Sequence, residues 1–271
     1  PNLISATVTV EDKGGKLEVT KVTYSKAGEE TKKPTFENHY TPGKTFARLE
    51  VNKVLTGRQL QKDEFEFELT GTEDHNHQVK TNDANGKVEF NRIEYTKAGE
   101  YHYTIKEKNN GLGGITYDSK EIKVTVKVTD DGKGKLNSEI FYENDDQTFK
   151  NTYSATKTNV QLSVKKALTG RKLKAQEFEF ELKEDGKPDV LQTAKNDAQG
   201  KVQFQAINYD KAGEYHYTIT EKNNGLTGVT YDSSKVKVTV KVTDDGKGKL
   251  SASVTYDGGK TTFKNSFTPK E

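Results

Sequence analysis

The chain is nearly two copies of one text. KAGEYHYTI occurs at 97–105 and 211–219, EFEFEL at 64–69 and 177–182, and KVTVKVTDDGKGKL at 123–136 and 237–250. The offset is 113 residues from Gly57 to Gly170 and 114 from Asn151 to Asn265. A repeat of that length is a whole domain, so the sequence predicts a string of like modules rather than one enzyme around one active site. Residues that survive in both copies at positions where they do not fit the local pattern are then the ones to explain.

Composition narrows the function classes. Lys plus Arg number 43 and Asp plus Glu 41, interspersed rather than blocked, which argues against nucleic-acid partners. Cysteine is absent, so there is no disulfide framework, thiol nucleophile or thiolate metal site. Only 30% of residues are hydrophobic, which implies a thin core in need of additional staples. No apolar run is long enough to span a membrane and no secretory signal opens the chain. Since position 1 falls within a recognisable repeat, the chain reads as an excerpt of a longer one.

The pattern is that of strands throughout. Ile122, Val124, Val126 and Val128 alternate with Lys123, Thr125 and Lys127, and Val236, Val238, Val240 and Val242 repeat the alternation. That is a half-buried antiparallel strand with a solvated lysine face. NDANGK at 82–87, NNGL at 109–112 and DDGKGK at 130–135 mark turns. A short helical turn is expected at 59–64 and 172–177, and nothing longer. The fold class that follows is all-β: tandem Greek-key β-sandwiches arranged end to end, with complete modules at 46–154 and 158–268 and short linkers between. Residues 1–42 are expected to be the carboxyl-terminal remnant of a preceding repeat. DKGGKL at 12–17 parallels DGKGKL at 131–136, and TFENHY at 35–40 parallels TFKNTY at 148–153. That piece lacks the earlier strands, so it is expected to pack on its neighbour or to be completed by another chain.

Three polar residues break the apolar faces of the complete modules. Lys53 shares a face with Leu49, Val51 and Leu55, and Lys166 with Leu162, Val164 and Leu168. Glu107 follows Tyr101, Tyr103 and Ile105, and Glu221 follows Tyr215, Tyr217 and Ile219. Asn151 lies between Phe149 and Tyr153, and Asn265 between Phe263 and Phe267. Lys165 corresponds to Asn52 and points outward. Three inward polar groups on three different strands, at the same register in both copies, form a constellation.

Two readings of it stand side by side. A lysine buried among apolar side chains loses its charge and becomes a nucleophile. A carboxyl group in the same pocket is pushed toward its protonated form and can donate to the Asn side-chain carbonyl. Attack of the amine on that carbon and loss of ammonia would leave an amide between the two side chains, with the folded core holding the reactants together. The other reading is a buried Lys–Glu ion pair with the Asn hydrogen-bonded beside it and no crosslink.

LTGR with its preceding lysine, YHYTI followed by Glu107 or Glu221, GITYD at 114–118 and GVTYD at 228–232, VTVKVTDDGKGKL and the closing TFKN together resemble the streptococcal-type pilin isopeptide-linkage repeat. That family belongs to the Ig-like sandwiches related to the B domains of collagen-binding surface proteins. The resemblance covers both complete modules and the remnant. It implies a Gram-positive surface protein or pilus subunit, extracellular, with a cell-wall-anchored parent. It further implies bonds from Lys53 to Asn151 and from Lys166 to Asn265, promoted by Glu107 and Glu221. Asn38 matches the reactive Asn, but no Lys or Glu accompanies it, so it is expected to stay unbonded.

The remaining motifs point to ordinary structure. His75 and His77 in EDHNHQ have metal-like spacing, but the second copy reads KEDGKPDV and holds no histidine, so a variable loop is expected and no metal. TDDG at 129–132 and 243–246 lacks the full ligand series of a calcium loop. No cofactor motif is present, and no membrane insertion or nucleic acid is expected. The expected partners are neighbouring repeats of the same chain. The rival function is an adhesive module that recognises a host ligand, of no identifiable kind, through loops 71–80 and 183–192. Apart from self-crosslinking, no enzyme activity is expected.

Overall fold

The computed structural model describes residues 3–32 and 34–269. The protein is all-β, with tandem Ig-like sandwiches, and among the described residues there is no α-helix. It divides into two compact units. One comprises Pro1–Ala47, Ile93–Glu100 and Lys127–Glu139; the other comprises Arg48–Arg92, Tyr101–Val126 and Ile140–Glu271.

The second unit contains the whole of the second sequence copy. Its four-stranded sheet has the order Lys201–Gln203, Ser163–Thr169, Thr262–Phe267, Val229–Thr230. Its five-stranded sheet has the order Val190–Lys195, Glu179–Glu184, Gly213–Glu221, Lys235–Asp244, Leu250–Tyr256. Alternation decides which side chains meet between them. Val236, Val238, Val240 and Val242 point inward and join Leu162, Val164, Phe180, Leu182, Ile219 and Phe263 in one core, while Lys237 and Lys241 stay exposed. Aromatic packing ties the sheets together: Phe180 and Phe263 lie 5.2 Å apart between ring centroids, as Phe67 and Phe149 do at 5.3 Å in the first copy.

The lysine-bearing strand near the start of a copy and the last strand are neighbours and run parallel, which strand alternation alone does not reveal. Glu50–Thr56 pairs with Thr148–Tyr153, with Lys53 opposite Phe149 and Leu55 opposite Asn151. Ser163–Thr169 pairs with Thr262–Phe267, with Lys166 opposite Phe263 and Leu168 opposite Asn265. Lysine and asparagine are therefore two register positions apart on adjacent strands, and a two-residue step returns to the same face.

The LTGR turn explains how the chain leaves the opening strand. Gly57 has φ 95°, and a Cβ there would sit 2.1 Å from the Tyr153 carbonyl oxygen. Gly170 repeats this with φ 89° and 2.1 Å to the Phe267 oxygen. Only glycine allows both the left-handed backbone and so close an approach. The helical turns expected at 59–64 and 172–177 are not formed. Asp63 and Gln176 adopt φ of 59° and 60°, which interrupts any right-handed helix. The loop is held instead by Glu64, which pairs with Arg58 and accepts the Gln61 N–H at 3.0 Å. Asn82 completes it, accepting the Phe65 N–H at 2.8 Å and donating to the Gln61 and Asp83 carbonyls.

In the first unit, Ile4–Asp12, Leu17–Lys26 and Glu29–Thr31 form a three-stranded antiparallel sheet. Val8, Val10, Leu17, Val19 and Val22 are exposed on it. At the end of this segment the Tyr40 hydroxyl donates to Asp130 Oδ1 at 2.8 Å and accepts the Gly134 N–H at 2.9 Å. The Gly43 N–H donates to the Gly134 carbonyl at 2.9 Å. The second unit contains the same joint one repeat later. Tyr153 donates to Asp244 Oδ1 at 2.6 Å and accepts the Gly248 N–H at 3.0 Å, and the Thr156 N–H reaches the Gly248 carbonyl at 2.8 Å. A tyrosine after TFxN thus docks twice on a DDGKGK hairpin.

Candidate functional site

Each complete copy buries its lysine, glutamate and asparagine as one cluster. Lys53 comes from the opening strand, Glu107 from the end of the tyrosine-rich strand and Asn151 from the closing strand. Lys53 Nζ lies 2.7 Å from Glu107 Oε1, and both side chains are 0% exposed. Asn151 Nδ2 donates to the same Oε1 at 3.0 Å. In the second copy the Lys166–Glu221 distance is 2.7 Å and Asn265 Nδ2 donates to Glu221 Oε1 at 3.1 Å. Lysine Nζ sits 4.6 Å above a phenylalanine ring in both, Phe65 in the first and Phe178 in the second. The structure thus brings together all six residues singled out from the sequence, in two sets of three.

The carboxamide orientation is fixed by a group that strand faces do not reveal. The backbone N–H of Asp118 donates to Asn151 Oδ1 at 2.7 Å, and that of Asp232 donates to Asn265 Oδ1 at 2.8 Å. A backbone N–H can only donate, so the oxygen must face it and the NH2 must face the glutamate. This corrects one expectation. The glutamate does not meet the asparagine carbonyl; it meets the amide nitrogen and the lysine.

Burial shifts both charged groups of each cluster toward their uncharged forms. Burial pushes the Lys53 amine below the ordinary lysine range, and the neighbouring Glu107 only partly restores it. Burial likewise raises the Glu107 carboxyl, opposed by Lys53 and the Asn151 hydrogen bond. Lys166 and Glu221 shift in the same directions for the same reason. Among the described residues, no hydrogen bond of good geometry reaches Nζ of either lysine or Oε2 of either glutamate. A purely structural buried polar cluster is normally fully satisfied. Asn82 and Asn196 illustrate that case, each buried with three hydrogen bonds. The trio lacks that full satisfaction.

Other candidates are not assembled. Lys165 is exposed, and so is Asn38. His77 Nε2 lies 2.7 Å from Glu68 Oε1, and among the described residues no group of three His, Cys, Asp or Glu could hold a metal. No helix of the described residues is long and apolar enough to cross a membrane.

The sequence matches the FctA family, the Spy0128-like isopeptide containing domain, over residues 49–154 and again over 162–268. The chain is a tandem member of that family. Among solved structures it is similar to the major pilin protein (T-13) of Streptococcus pyogenes, with 18% identity, 84% of this chain and 100% of that one covered, and a TM-score of 0.35. Another major pilin structure from Streptococcus pyogenes matches at 16% identity over 82% of this chain and 98% of that one, with a TM-score of 0.29. The carboxyl-terminal fragment of the pilus adhesin SpaC from Lactobacillus rhamnosus GG matches at 15% identity over 82% and 99%, with a TM-score of 0.28. No curated protein sequence matches the chain.

Proposed function

We propose that the chain is a stalk segment of a Gram-positive pilus or surface protein, and that each complete repeat crosslinks itself through a Lys–Asn amide. The repeats run over 46–154 and 158–268, and residues 1–42 are the end of a preceding one. The observation that carries this reading is the twice-built cluster: amine and carboxamide nitrogen against one glutamate oxygen, with lysine and glutamate side chains fully buried.

The chemistry follows from the contacts. Glu107 holds the proton that burial removes from Lys53, leaving a lone pair on Nζ. Nζ attacks Asn151 Cγ, forming the new C–N bond and a tetrahedral centre. Glu107 then returns a proton to Nδ2, to which it is already hydrogen-bonded, and takes one from Nζ. The Cγ–Nδ2 bond breaks and ammonia leaves. Lys53 and Asn151 end as one secondary amide, and Glu107 is regenerated. Lys166, Glu221 and Asn265 do the same in the second repeat. Each site turns over once, on its own chain.

Strand order supports the mechanical use. The strands to be crosslinked lie near the start and at the end of the repeat and run parallel side by side, so pulling on the two chain ends would shear them apart. A covalent bond between them carries the load past the hydrogen-bonded sheets. By loop entropy the closure is worth about 4–5 kcal/mol for a loop of this size. Glu107→Ala tests the reading: the full chain should gain back one ammonia in intact mass, at the first repeat only. An unchanged ammonia count in that variant contradicts it.

A further inference from the structure

We infer that the backbone N–H of Asp118, and of Asp232 in the second repeat, is the oxyanion donor of the crosslinking reaction, and that the aspartate carboxylate is the clip that aims it. This inference rests on the crosslinking reading above. When Nζ adds to Asn151 Cγ, the carbonyl electron pair moves onto Oδ1, and that charge needs a donor in a site with both reacting side chains out of water. Glu107 does not serve, because its oxygen lies on the nitrogen side of the carboxamide. The Asp118 N–H already lies 2.7 Å from Oδ1, within the range such donors occupy, and the Asp232 N–H lies 2.8 Å from its counterpart.

The sequence builds this donor in the same way twice. Ile115–Thr116 pairs antiparallel with the end of the closing strand, Ile115 opposite Tyr153 and Thr116 opposite Thr152. Val229–Thr230 does so against Phe267 and Ser266. That pairing carries the next residues of GITYD and GVTYD alongside the asparagine. The aspartate then closes the loop. Asp118 Oδ2 accepts the Lys150 N–H at 2.9 Å and Oδ1 accepts the Lys120 N–H at 3.1 Å. Asp232 Oδ2 accepts the Lys264 N–H at 2.8 Å and Oδ1 the Ser234 N–H at 2.9 Å. Lys150 and Lys264 immediately precede the reacting asparagines. The carboxylate therefore fastens its own loop to the strand segment that its N–H must face. Asp118 acts through a main-chain atom on the reacting oxygen and through its side chain as a positioning residue.

The test follows bond formation in the full chain made by cell-free translation, with samples quenched in acid and each repeat scored by peptide mass. Asp118→Pro removes the N–H and should slow the first bond by about 10²–10³-fold, the usual cost of deleting one oxyanion donor. Asp118→Ala keeps the N–H but loses the clip, and should slow it less. Asp118→Asn, which keeps one acceptor oxygen, should recover part of the rate. The second repeat should bond at the wild-type rate in all three, as an internal control. Because proline at 118 could unfold the repeat, an independent measurement is made in Lys53→Met, which cannot react. There, scalar coupling across the hydrogen bond between Asp118 15N and Asn151 13Cγ should be visible by NMR. A wild-type rate in Asp118→Pro, or no coupling in folded Lys53→Met, overturns the inference and leaves the crosslink standing. Absence of ammonia loss from the wild-type chain overturns both.

Discussion

TFEN at 35–38 and TFKN at 148–151 and 262–265 are nearly the same words with different surroundings. Asn151 and Asn265 are 1% and 3% exposed, each with a glutamate at its amide nitrogen and a backbone donor at its oxygen. Asn38 lies outside any strand and is exposed, with Phe36 exposed beside it. An asparagine in the right motif is thus not a site. It becomes one when an opening strand supplies a buried lysine, a tyrosine-rich strand supplies a glutamate, and the GxTYD loop turns its carbonyl. Among the described residues of 3–40 there is none of these three, and the sheet there leaves valines in water.

The sharpest way to break this contrast is to make the first complete repeat resemble the amino-terminal piece. Glu107→Ala should leave Asn151 unreacted and Lys53 buried without its partner. Loss of the closure alone should cost the first repeat about 4–5 kcal/mol, read as a separate lower transition on denaturant unfolding. A transition unmoved from wild type would mean that the cluster is not a crosslink.

Proton placement sharpens it further. Unfolded, lysine and glutamate titrate near 10.5 and 4.5, so between those values the pair holds one proton, on the lysine. Burial lowers the first and raises the second on folding, which shifts the balance of that proton toward the glutamate. The rate of bond formation should therefore be flat across neutral pH, falling in acid as the amine is protonated and in alkali as the acid proton is lost. Glu107→Gln should behave differently. With its pKa lowered by burial, the solitary lysine binds fewer protons folded than unfolded, so stability should climb as pH rises toward 10.5. A decline with pH would reverse the assigned shift.

The tyrosine joints should respond more weakly. Tyr153→Phe removes a hydroxyl bonded to Asp244 and Gly248 and should cost about 1 kcal/mol, with faster hydrogen exchange at the Gly248 amide. Tyr40→Phe should cost less, because Tyr40 is 56% exposed and Tyr153 only 7%. At the bottom of the scale, Asn38→Ala and Lys165→Ala should leave the number of ammonia molecules lost unchanged. A change in either case would show that the motif, and not its surroundings, makes the site.

Much of the site was legible because strand alternation is a strict code. Lys53, Glu107 and Asn151 each stand where the period of two demands an apolar residue, and duplication at matched register removes accident. What alternation could not give was the neighbour of each strand. The parallel pairing of the opening and closing strands depends on the order of strands in the sheet, which no local pattern records. The Asp118 donor was hidden for a different reason. A backbone N–H has no residue signature, and GITYD marks only the chain course that delivers it. The polar and apolar spacing after LTGR permits a helical turn that the loop does not form. Left-handed Asp63 and Gln176, and glutamates turned back onto arginines, decide against it.

Two covalent bonds separate a self-crosslinked stalk from a merely hydrogen-bonded one. The intact mass of the full chain, followed by peptide mapping, should show a deficit of two ammonia molecules, with Lys53 joined to Asn151 and Lys166 joined to Asn265. A chain at its full sequence mass, with all four side chains recovered unlinked, would contradict the account.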